Sequence, residues 1–352
     1  MEKVRFALAA IALAALAVAG ACGNDGVHDG GAAGATEAGT TTLRLGYFPN
    51  VTHAPAVVGV EKGIFADALG DDELEVKTFN AGPSAVEALF AGAIDATFIG
   101  PNPAINAFVT SKGKAIRIVA GATSGGASLV VKPDVTSAKA LKGKKLASPQ
   151  LGGTQDVALR HWLSENGLKT DPQGGGDVSI LPQENAQTLE TFVSGEVAGA
   201  WVPEPWATRL VQEGGGKVLV DEATLWPGGR FVTTHLIVRT EFLEEHPDTV
   251  RRLVAGTVDA VAFTNTQPDE AKRLTNEGIA RIAGKALEAE VIEAAWERLT
   301  FTTDPIASSL KVSAAHAKQV GLLDDADLDG IYALDTLNQI LTERGEKEVQ
   351  AP

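Results

Sequence analysis

The chain has 352 residues, of which 44% are hydrophobic and 21% are charged, and its formal net charge is −15. This length is ample for a hydrophobic core and suggests two domains. A nucleic-acid-binding protein is expected to carry a basic face, so the acidic balance argues against that class. The single cysteine excludes a disulfide within the chain.

The N-terminus has the pattern of a cleaved leader. Lys3 and Arg5 precede a run of small apolar residues. The run is about 15 residues long, shorter than the ~20 needed to span a bilayer, so residues 1–21 are predicted to be a signal peptide. The Gly/Ala/Thr-rich stretch that follows is predicted to be a flexible tether over residues 22–42.

Cys22 stands directly after this leader. The segment AGAC resembles a bacterial lipobox, although Ala19 occupies the position where that pattern prefers Leu. The resemblance implies that Cys22 carries a lipid and that the mature protein is extracytoplasmic and anchored to the cell membrane. The alternative is plain secretion with a cysteine at this position by chance.

Strand patterns and helix patterns alternate through most of the remaining chain. In chain order the strand patterns are LRLGY, ELEVKTF, IDATFIG, IRIVAGA, ASLVVK, DVSILP, VAGAWV and KVLV. Such alternation predicts mostly parallel sheets with helices on both faces. After TTHLIVR (233–239) almost all patterns are helical.

The pattern restarts in the middle of the chain, which predicts two α/β domains. The first is expected to comprise residues 43–129 and 232–352, and the second to be inserted as residues 130–231. Ligands of open α/β sheets bind outside the carboxyl ends of the strands. We therefore expect one inter-domain cleft lined by the loops FPNVTH, NAGPS, GPNP, TSGGAS, LGGTQD and PEPW.

These loops carry a family resemblance that extends over residues 43–342. The segments GYFPNVTHAPAVVGVEKGIF, FNAGPSAVEALFAGAIDATFIGPNPAINAF, LKGKKLASPQLGGTQDVALRHWLSENGL and VPEPWATRLVQEGGGKVL resemble the ABC-transporter solute-binding proteins for sulfonates, taurine and nitrate. That group also includes binding proteins for thiamine pyrimidine precursors. The resemblance implies a type II periplasmic-binding-protein fold, with two doubly wound α/β lobes, a two-segment hinge and a helical C-terminal region.

The resemblance also implies a function and its partners. The protein is expected to bind a small anionic or zwitterionic solute and to deliver it to an ABC permease and its ATPase. An aliphatic sulfonate is the favoured solute, and taurine, nitrate and a thiamine pyrimidine precursor are the alternatives. A different class of protein, an extracytoplasmic ligand sensor, is also consistent with the sequence.

Three loops that open predicted helices offer donors to an anion. Ser84 is predicted to be a helix N-cap with Glu87 as its capping-box partner, or else to border backbone N–H groups that face a ligand. Asn102 can likewise cap its helix or reach the cleft. Gly153 and Thr154 open the first long helix of the second domain and match the anion contact that the resemblance implies there.

Two interpretations are open for each of Glu204, Trp206 and His53. Glu204 either forms a salt bridge elsewhere or contacts an ammonium or ring N–H of the solute, and Trp206 either walls the cleft or belongs to the core. His53 is either a structural histidine or a ligand contact. The predicted ligand-binding residues are Asn50, His53, Ser84, Asn102, Gly126, Ser128, Gly153, Thr154, Gln155, Glu204 and Trp206.

Nothing in the sequence has the pattern of a catalytic centre. The chain contains no nucleophile elbow, P-loop, zinc-protease motif or Cys/His cluster with metal-ligand spacing. A pyrimidine synthase that shares the fold needs a cysteine-rich iron site, and this chain has one cysteine. We therefore expect a monomeric binding protein without enzyme activity, cofactor or metal.

Overall fold

Two β-sheets with flanking helices form the fold, and the computed structural model describes residues 40–325 and 327–351. The strands are β1 (Thr42–Tyr47), β2 (Glu73–Thr78), β3 (Ala96–Ile99), β4 (Ile116–Gly125), β5 (Ala127–Val131), β6 (Lys145–Ser148), β7 (Ser179–Pro182), β8 (Gly199–Pro203), β9 (Lys217–Asp221), β10 (Val232–Arg239) and β11 (Leu299–Phe301). The helices are α1 (Ala54–Glu61), α2 (Ile64–Leu69), α3 (Gly82–Phe90), α4 (Pro101–Thr110), α5 (Thr154–Glu165), α6 (Asn185–Ser194), α7 (Trp206–Gln212), α8 (Thr240–Glu245), α9 (Pro247–Thr266), α10 (Pro268–Ala283), α11 (Ala289–Trp296), α12 (Ala307–Gln319) and α13 (Asp335–Glu343). Short 3-10 turns cover Val51–His53, Ala138–Leu141, Glu222–Leu225 and Pro227–Gly229.

The strands divide into a six-stranded and a five-stranded sheet. Their orders are β11-β4-β10-β3-β1-β2 and β7-β6-β8-β5-β9. We call the part of the chain built on the first sheet lobe 1 and the part built on the second lobe 2. The lobe boundaries expected from the sequence, residues 43–129 and 232–352 for lobe 1 and 130–231 for lobe 2, stay a prediction.

Among the described strands, four of six in the first sheet and four of five in the second run in the same direction, as expected for mostly parallel sheets, but both sheets are mixed. Pairings of β1 with β2 and β3, and of β6 with β7 and β8, are parallel. Strands β5, β10 and β11 pair antiparallel with their neighbours. Strand β10 lies between β4 and β3. It runs against them because the chain returns from lobe 2 at the carboxyl ends of these strands, so β10 begins where they end.

The first passage between the lobes is short. Strand β4 ends at Gly125 and β5 begins at Ala127, so the change of sheet falls at Gly126. Gly125 and Gly126 have φ of 84° and 73°, a region that favours glycine. A Cβ on Gly125 would also lie 2.5 Å from the carbonyl oxygen of Arg298, so both the turn and this close approach require glycine.

Each sheet is covered by apolar residues on both faces. In β10, Leu236 and Val238 belong to one core cluster of lobe 1, and Ile237 between them belongs to another. In β8 of lobe 2, Trp201 and Val202 likewise belong to clusters on opposite faces. The alternation follows from the two-residue period of a strand, and burial on both faces leaves the strand ends as the place for a site.

Of the predicted N-terminal segments, the structure describes only residues 40–42 at the end of the tether. Strand β1 begins at Thr42, and the backbone N–H of Thr41 donates to Oδ1 of Asp72 at 3.1 Å. The predicted signal peptide, Cys22 and most of the predicted tether lie outside the described residues. No helix in the described ranges has both the length and the apolar character needed to cross a membrane.

Candidate functional site

A small cavity of about 30 Å³ lies between the lobes at the carboxyl ends of several strands. It is lined by Phe48, Asn50, Thr52, His53, Asn80, Ala81, Gly82, Gly100, Pro103, Pro149, Gly153, Thr154, Gln155, Asn185, Pro203, Thr233 and Thr234. Both lobes contribute, because the loops after β1, β2 and β3 face those after β6 and β7. The position agrees with the general rule for open α/β sheets.

Four helices begin at the wall of this cavity. The N-caps of α3, α4 and α5 are Ala81, Gly100 and Gly153, and α6 begins at Asn185; all four residues line the cavity. Within the described residues, no side chain caps any of the four helix starts. The N–H groups present in the first turns are therefore not taken by side-chain caps, although prolines leave α4 with only that of Asn102 among its first three residues. The positive ends of four helix dipoles converge on one space.

The side chains around the cavity are neutral. Its lining residues, all of which the structure describes, include amides and hydroxyls but no Lys, Arg, Asp or Glu. His53 is uncharged as well, because burial lowers its pKa to about 3. Its Nδ1 accepts from the backbone N–H of Phe48 at 3.4 Å, and its ring lies on the Phe48 ring with centroids 4.4 Å apart.

Two buried oxygen atoms in the wall have no partner. Thr154 is 8% exposed and Asn185 is 2% exposed. Within the described part of the chain, neither Oγ1 of Thr154 nor Oδ1 of Asn185 makes a hydrogen bond. A buried polar group without a partner costs about 1–3 kcal/mol. The Thr154 hydroxyl can therefore gain by donating to a solute, whereas Oδ1 of Asn185 can gain only by accepting from one.

Gly100 allows the two lobes to meet at this point. A Cβ on Gly100 would collide with Oγ1 of Thr154, which belongs to the other lobe. A Cβ on Gly82 would collide with the ring of Pro103, 2.6 Å from its Cβ. The glycines therefore bring the starts of α3, α4 and α5 closer together than side chains would permit.

Hydrogen bonds across the lobes surround the cavity. Nε1 of Trp206 in lobe 2 donates to Oδ1 of Asn50 in lobe 1 at 2.9 Å. The Ser84 hydroxyl in lobe 1 lies 3.3 Å from Oε1 of Gln150 in lobe 2. These contacts link the same loops that line the cavity.

The structure brings five of the predicted binding residues together in the wall and leaves six outside it. The five are Asn50, His53, Gly153, Thr154 and Gln155. The six that do not line the cavity are Ser84, Asn102, Gly126, Ser128, Glu204 and Trp206.

Ser84 and Asn102 lie within their helices rather than at the caps. The prediction that Ser84 caps its helix was wrong, because α3 already begins at Gly82 and Ala81 is the N-cap. The Ser84 hydroxyl donates back to the carbonyl of Ala81 at 3.0 Å. The amide of Asn102 donates to the carbonyl of Ser313 at 3.1 Å and so ties α4 to α12.

Glu204 is completely buried next to the cavity but faces away from it. Its Oε2 accepts from the backbone N–H of Thr208 at 3.0 Å, and its Oε1 lies 3.4 Å from Nε of Arg298. Burial raises the pKa of Glu204 to about 7. Ser128 is also buried, within β5, and Gly126 forms the passage between the lobes.

Sequence reasoning overlooked several polar residues of the wall. Thr52 and Asn80 lie in loops that were predicted to line the cleft, but a loop sequence alone does not tell which side chain points inward. Asn185 was missed entirely. The available signal was its position at the start of a helix that follows a strand, the same arrangement as in the three loops that were selected.

Comparisons with known proteins identify the family and the fold of the chain. The model of the NMT1-like family matches residues 36–279. The taurine-binding periplasmic protein of Escherichia coli (strain K12) is 28% identical over 61% of this chain and 64% of that protein. An alkanesulfonate-binding protein from Xanthomonas axonopodis pv. citri has a TM-score of 0.67 at 20% identity, covering 81% of this chain and 95% of that one. The nitrate-binding protein of Synechocystis PCC 6803 has a TM-score of 0.70 at 19% identity, covering 87% and 89%.

The structural matches confirm the expected periplasmic-binding-protein fold. The named relatives are binding proteins rather than enzymes, as expected for this chain.

Proposed function

The chain belongs to the NMT1-like family, and from that premise we propose that it is the extracytoplasmic receptor of an ABC importer for a small oxoanion, an aliphatic sulfonate. The similarity to proteins named for taurine, alkanesulfonates and nitrate supports this class of solute. The four helix N-termini around one neutral cavity are the observation that carries the proposal.

The chemistry of the wall suits an anion without a basic residue. Each helix start offers backbone donors and a favourable dipole, contributing about 0.3–1 kcal/mol and more when partly buried. A sulfonate spreads one negative charge over three oxygens, each of which accepts hydrogen bonds. Donors from four directions can therefore share the charge, while the Thr154 hydroxyl adds a side-chain donor from α5.

The same wall argues against taurine and against a pyrimidine as the solute. A zwitterion such as taurine needs a partner for its ammonium, and Glu204, predicted for this role, faces Thr208 and Arg298 instead. The lining, all of which the structure describes, contains no carboxylate, so an ammonium would meet only neutral acceptors such as Oδ1 of Asn185. A pyrimidine needs an aromatic surface to stack on, and the lining offers only the rings of Phe48 and His53, which pack on each other. A volume of about 30 Å³ also favours a compact head group.

A panel of solutes tests the class. Thermal unfolding is measured with methanesulfonate, ethanesulfonate, taurine, nitrate, bicarbonate and hydroxymethylpyrimidine. A solute at one hundred times its Kd stabilises the folded state by about 2.7 kcal/mol, so the true ligand raises Tm clearly. We expect the alkanesulfonates to give the largest shift. Stabilisation by the pyrimidine alone would overturn the sulfonate proposal.

The lipid anchor is a separate part of the proposal. We expect Cys22 to be lipidated, because the lipobox-like segment ends there and a receptor must remain near its permease. Stable anchoring needs more than one acyl chain, which a lipoprotein modification supplies. Fractionation of cells that carry Cys22→Ala should find the protein released from the membrane. Unchanged processing and membrane retention would contradict the anchor.

Transport and sensing are distinguished in cells. Deletion of the gene should abolish uptake of the radiolabelled solute if the protein serves an importer. Normal uptake together with loss of a transcriptional response to the solute would instead support the sensor.

A further inference from the structure

A second cavity lies next to the neutral one, and the wall between them is formed by chain segments whose neighbouring residues line one cavity or the other. This outer cavity has a volume of about 200 Å³, and its lining includes Pro49, Ala186, Pro205, Trp206, Ile279 and Leu287. Three chain segments supply residues to both cavities. Asn50 lines the inner cavity and Pro49 the outer, and the same holds for Asn185 and Ala186 and for Pro203 and Pro205.

Trp206 is the largest side chain in this wall. It lines the outer cavity, and its Nε1 donates to Oδ1 of Asn50, which lines the inner one. The guanidinium of Arg209 lies over its ring, 4.6 Å from the centroid. The indole ring is therefore held from two sides, by a hydrogen bond and by a cation.

The hydrogen bond also determines how Asn50 is oriented. An indole N–H can only donate, so the amide oxygen of Asn50 must be the atom that faces Trp206. Its Nδ2, with two protons, then lies on the remaining side of the amide. Asn50 is 4% exposed and lines the inner cavity, so these two donors are available there to an acceptor such as a sulfonate oxygen.

We propose that Trp206 limits the length of the solute, because its indole ring lies behind Asn50 on the side of the outer cavity and holds this residue as the barrier between the two cavities, while its N–H directs the donors of Asn50 at the head group. This inference rests on the proposed function. The wild-type protein then accepts a sulfonate with a tail of one or two carbons. Removal of the ring would join the two cavities and admit a longer tail, whose apolar neighbours would be Ile279 and Leu287.

Calorimetric titration of linear alkanesulfonates from methane- to hexanesulfonate tests this limit. In the wild type we expect affinity to fall at least tenfold beyond ethanesulfonate. In Trp206→Ala we expect the order to reverse, with a gain of about fourfold for each methylene that enters the outer cavity. Trp206→Phe retains a ring but lacks the N–H, so it should show the wild-type order with all affinities reduced about five- to tenfold.

Trp162→Ala is the matched control. Trp162 is a partly buried tryptophan on α5 that packs near Trp201 and lines neither cavity. Its removal should leave the order of affinities unchanged. Melting curves report whether each variant folds, and Trp206→Leu replaces Trp206→Ala if the latter does not.

The outcomes separate the two proposals. A wild type that binds none of the sulfonates would contradict the proposed function itself. A wild type that binds hexanesulfonate more tightly than methanesulfonate would overturn the length limit alone. The limit would also be overturned if a folded Trp206→Ala or Trp206→Leu variant kept the wild-type order.

Discussion

His161 of α5 stacks on His316 of α12, with ring centroids 3.5 Å apart and planes inclined by 13°. The pair joins lobe 2 to the C-terminal part of lobe 1 outside the solute cavity. Burial lowers the pKa of both rings, that of His316 to about 4, where the neighbouring His161 adds to the effect. The carboxyl groups of Glu165 and Glu222 line the space around the pair.

We predict that this contact weakens in acid. Both folded-state pKa values lie below the ordinary 6.5, so the unfolded chain binds more protons at low pH. The stability from the neutral pair is complete above pH 6.5 and is lost as the pH falls through the folded pKa of about 4. His316→Phe keeps a stacking ring that does not titrate. Because the rings are only half-buried, the variant should lose about 1 kcal/mol less than the wild type between pH 7.5 and 4.5.

Urea unfolding at the two pH values measures this difference. Comparison with the wild type removes the contributions of Glu165 and Glu222, which both proteins share. Equal losses in the two proteins would show that the histidine pair does not respond to pH.

Thr154 and Ser84 should differ sharply in their effect on binding. Thr154→Val removes the hydroxyl at nearly constant shape. A hydrogen bond to a charged group contributes about 1.5–3 kcal/mol, so affinity should fall tenfold or more. Ser84→Ala should change affinity by less than about threefold, because that hydroxyl lies outside the cavity and its one proton is shared between the Ala81 carbonyl at 3.0 Å and Oε1 of Gln150 at 3.3 Å, so little is lost between the lobes.

Calorimetry of these variants, with Thr154→Ser as the rescue, measures the contrast. An equal loss in Ser84→Ala would instead place Ser84 among the residues that contact the solute. Full affinity in Thr154→Val would contradict the role of the α5 helix start.

The two glycines at the helix starts offer a second contrast. Gly82→Ala would press a Cβ against the rigid ring of Pro103, so we expect a loss of stability of about 1–3 kcal/mol, typical of overpacking. Gly100→Ala would meet the rotatable hydroxyl of Thr154 and should cost less stability. It should nevertheless weaken binding, because Thr154 is displaced. Melting curves and titrations on both variants test this, and a reversed order would refute it.

Glu204→Gln should change the pH dependence of stability and leave affinity within about threefold. Burial raises the folded pKa of Glu204 to about 7 from 4.5, so the folded state favours the protonated acid. This contribution is complete below pH 4.5 and is lost as the pH rises through about 7. The glutamine variant should therefore lose less stability than the wild type between pH 5 and pH 8.5. A tenfold change in affinity would show that the carboxyl acts on the solute after all.

Local patterns in the sequence were enough to predict the architecture of this protein and the region of its candidate site. The period of the apolar residues reports which local faces are buried, so strands such as β1 and β8 and helices such as α5 were predictable. Small residues that open a helix after a strand are also a local feature, and they led to the loops that line the cavity. The family resemblance carried the same information over most of the chain.

Contacts between distant parts of the folded chain determine which side chains meet in the cavity. Ser84 was expected at a cap, but α3 begins two residues earlier, and a helix start depends on backbone angles that packing against Pro103 helps to set. Asn185 enters the wall, and Glu204 faces away from it towards Arg298. These outcomes depend on contacts between residues that are far apart in the chain. The local periodicity of a sequence gives no information about such contacts.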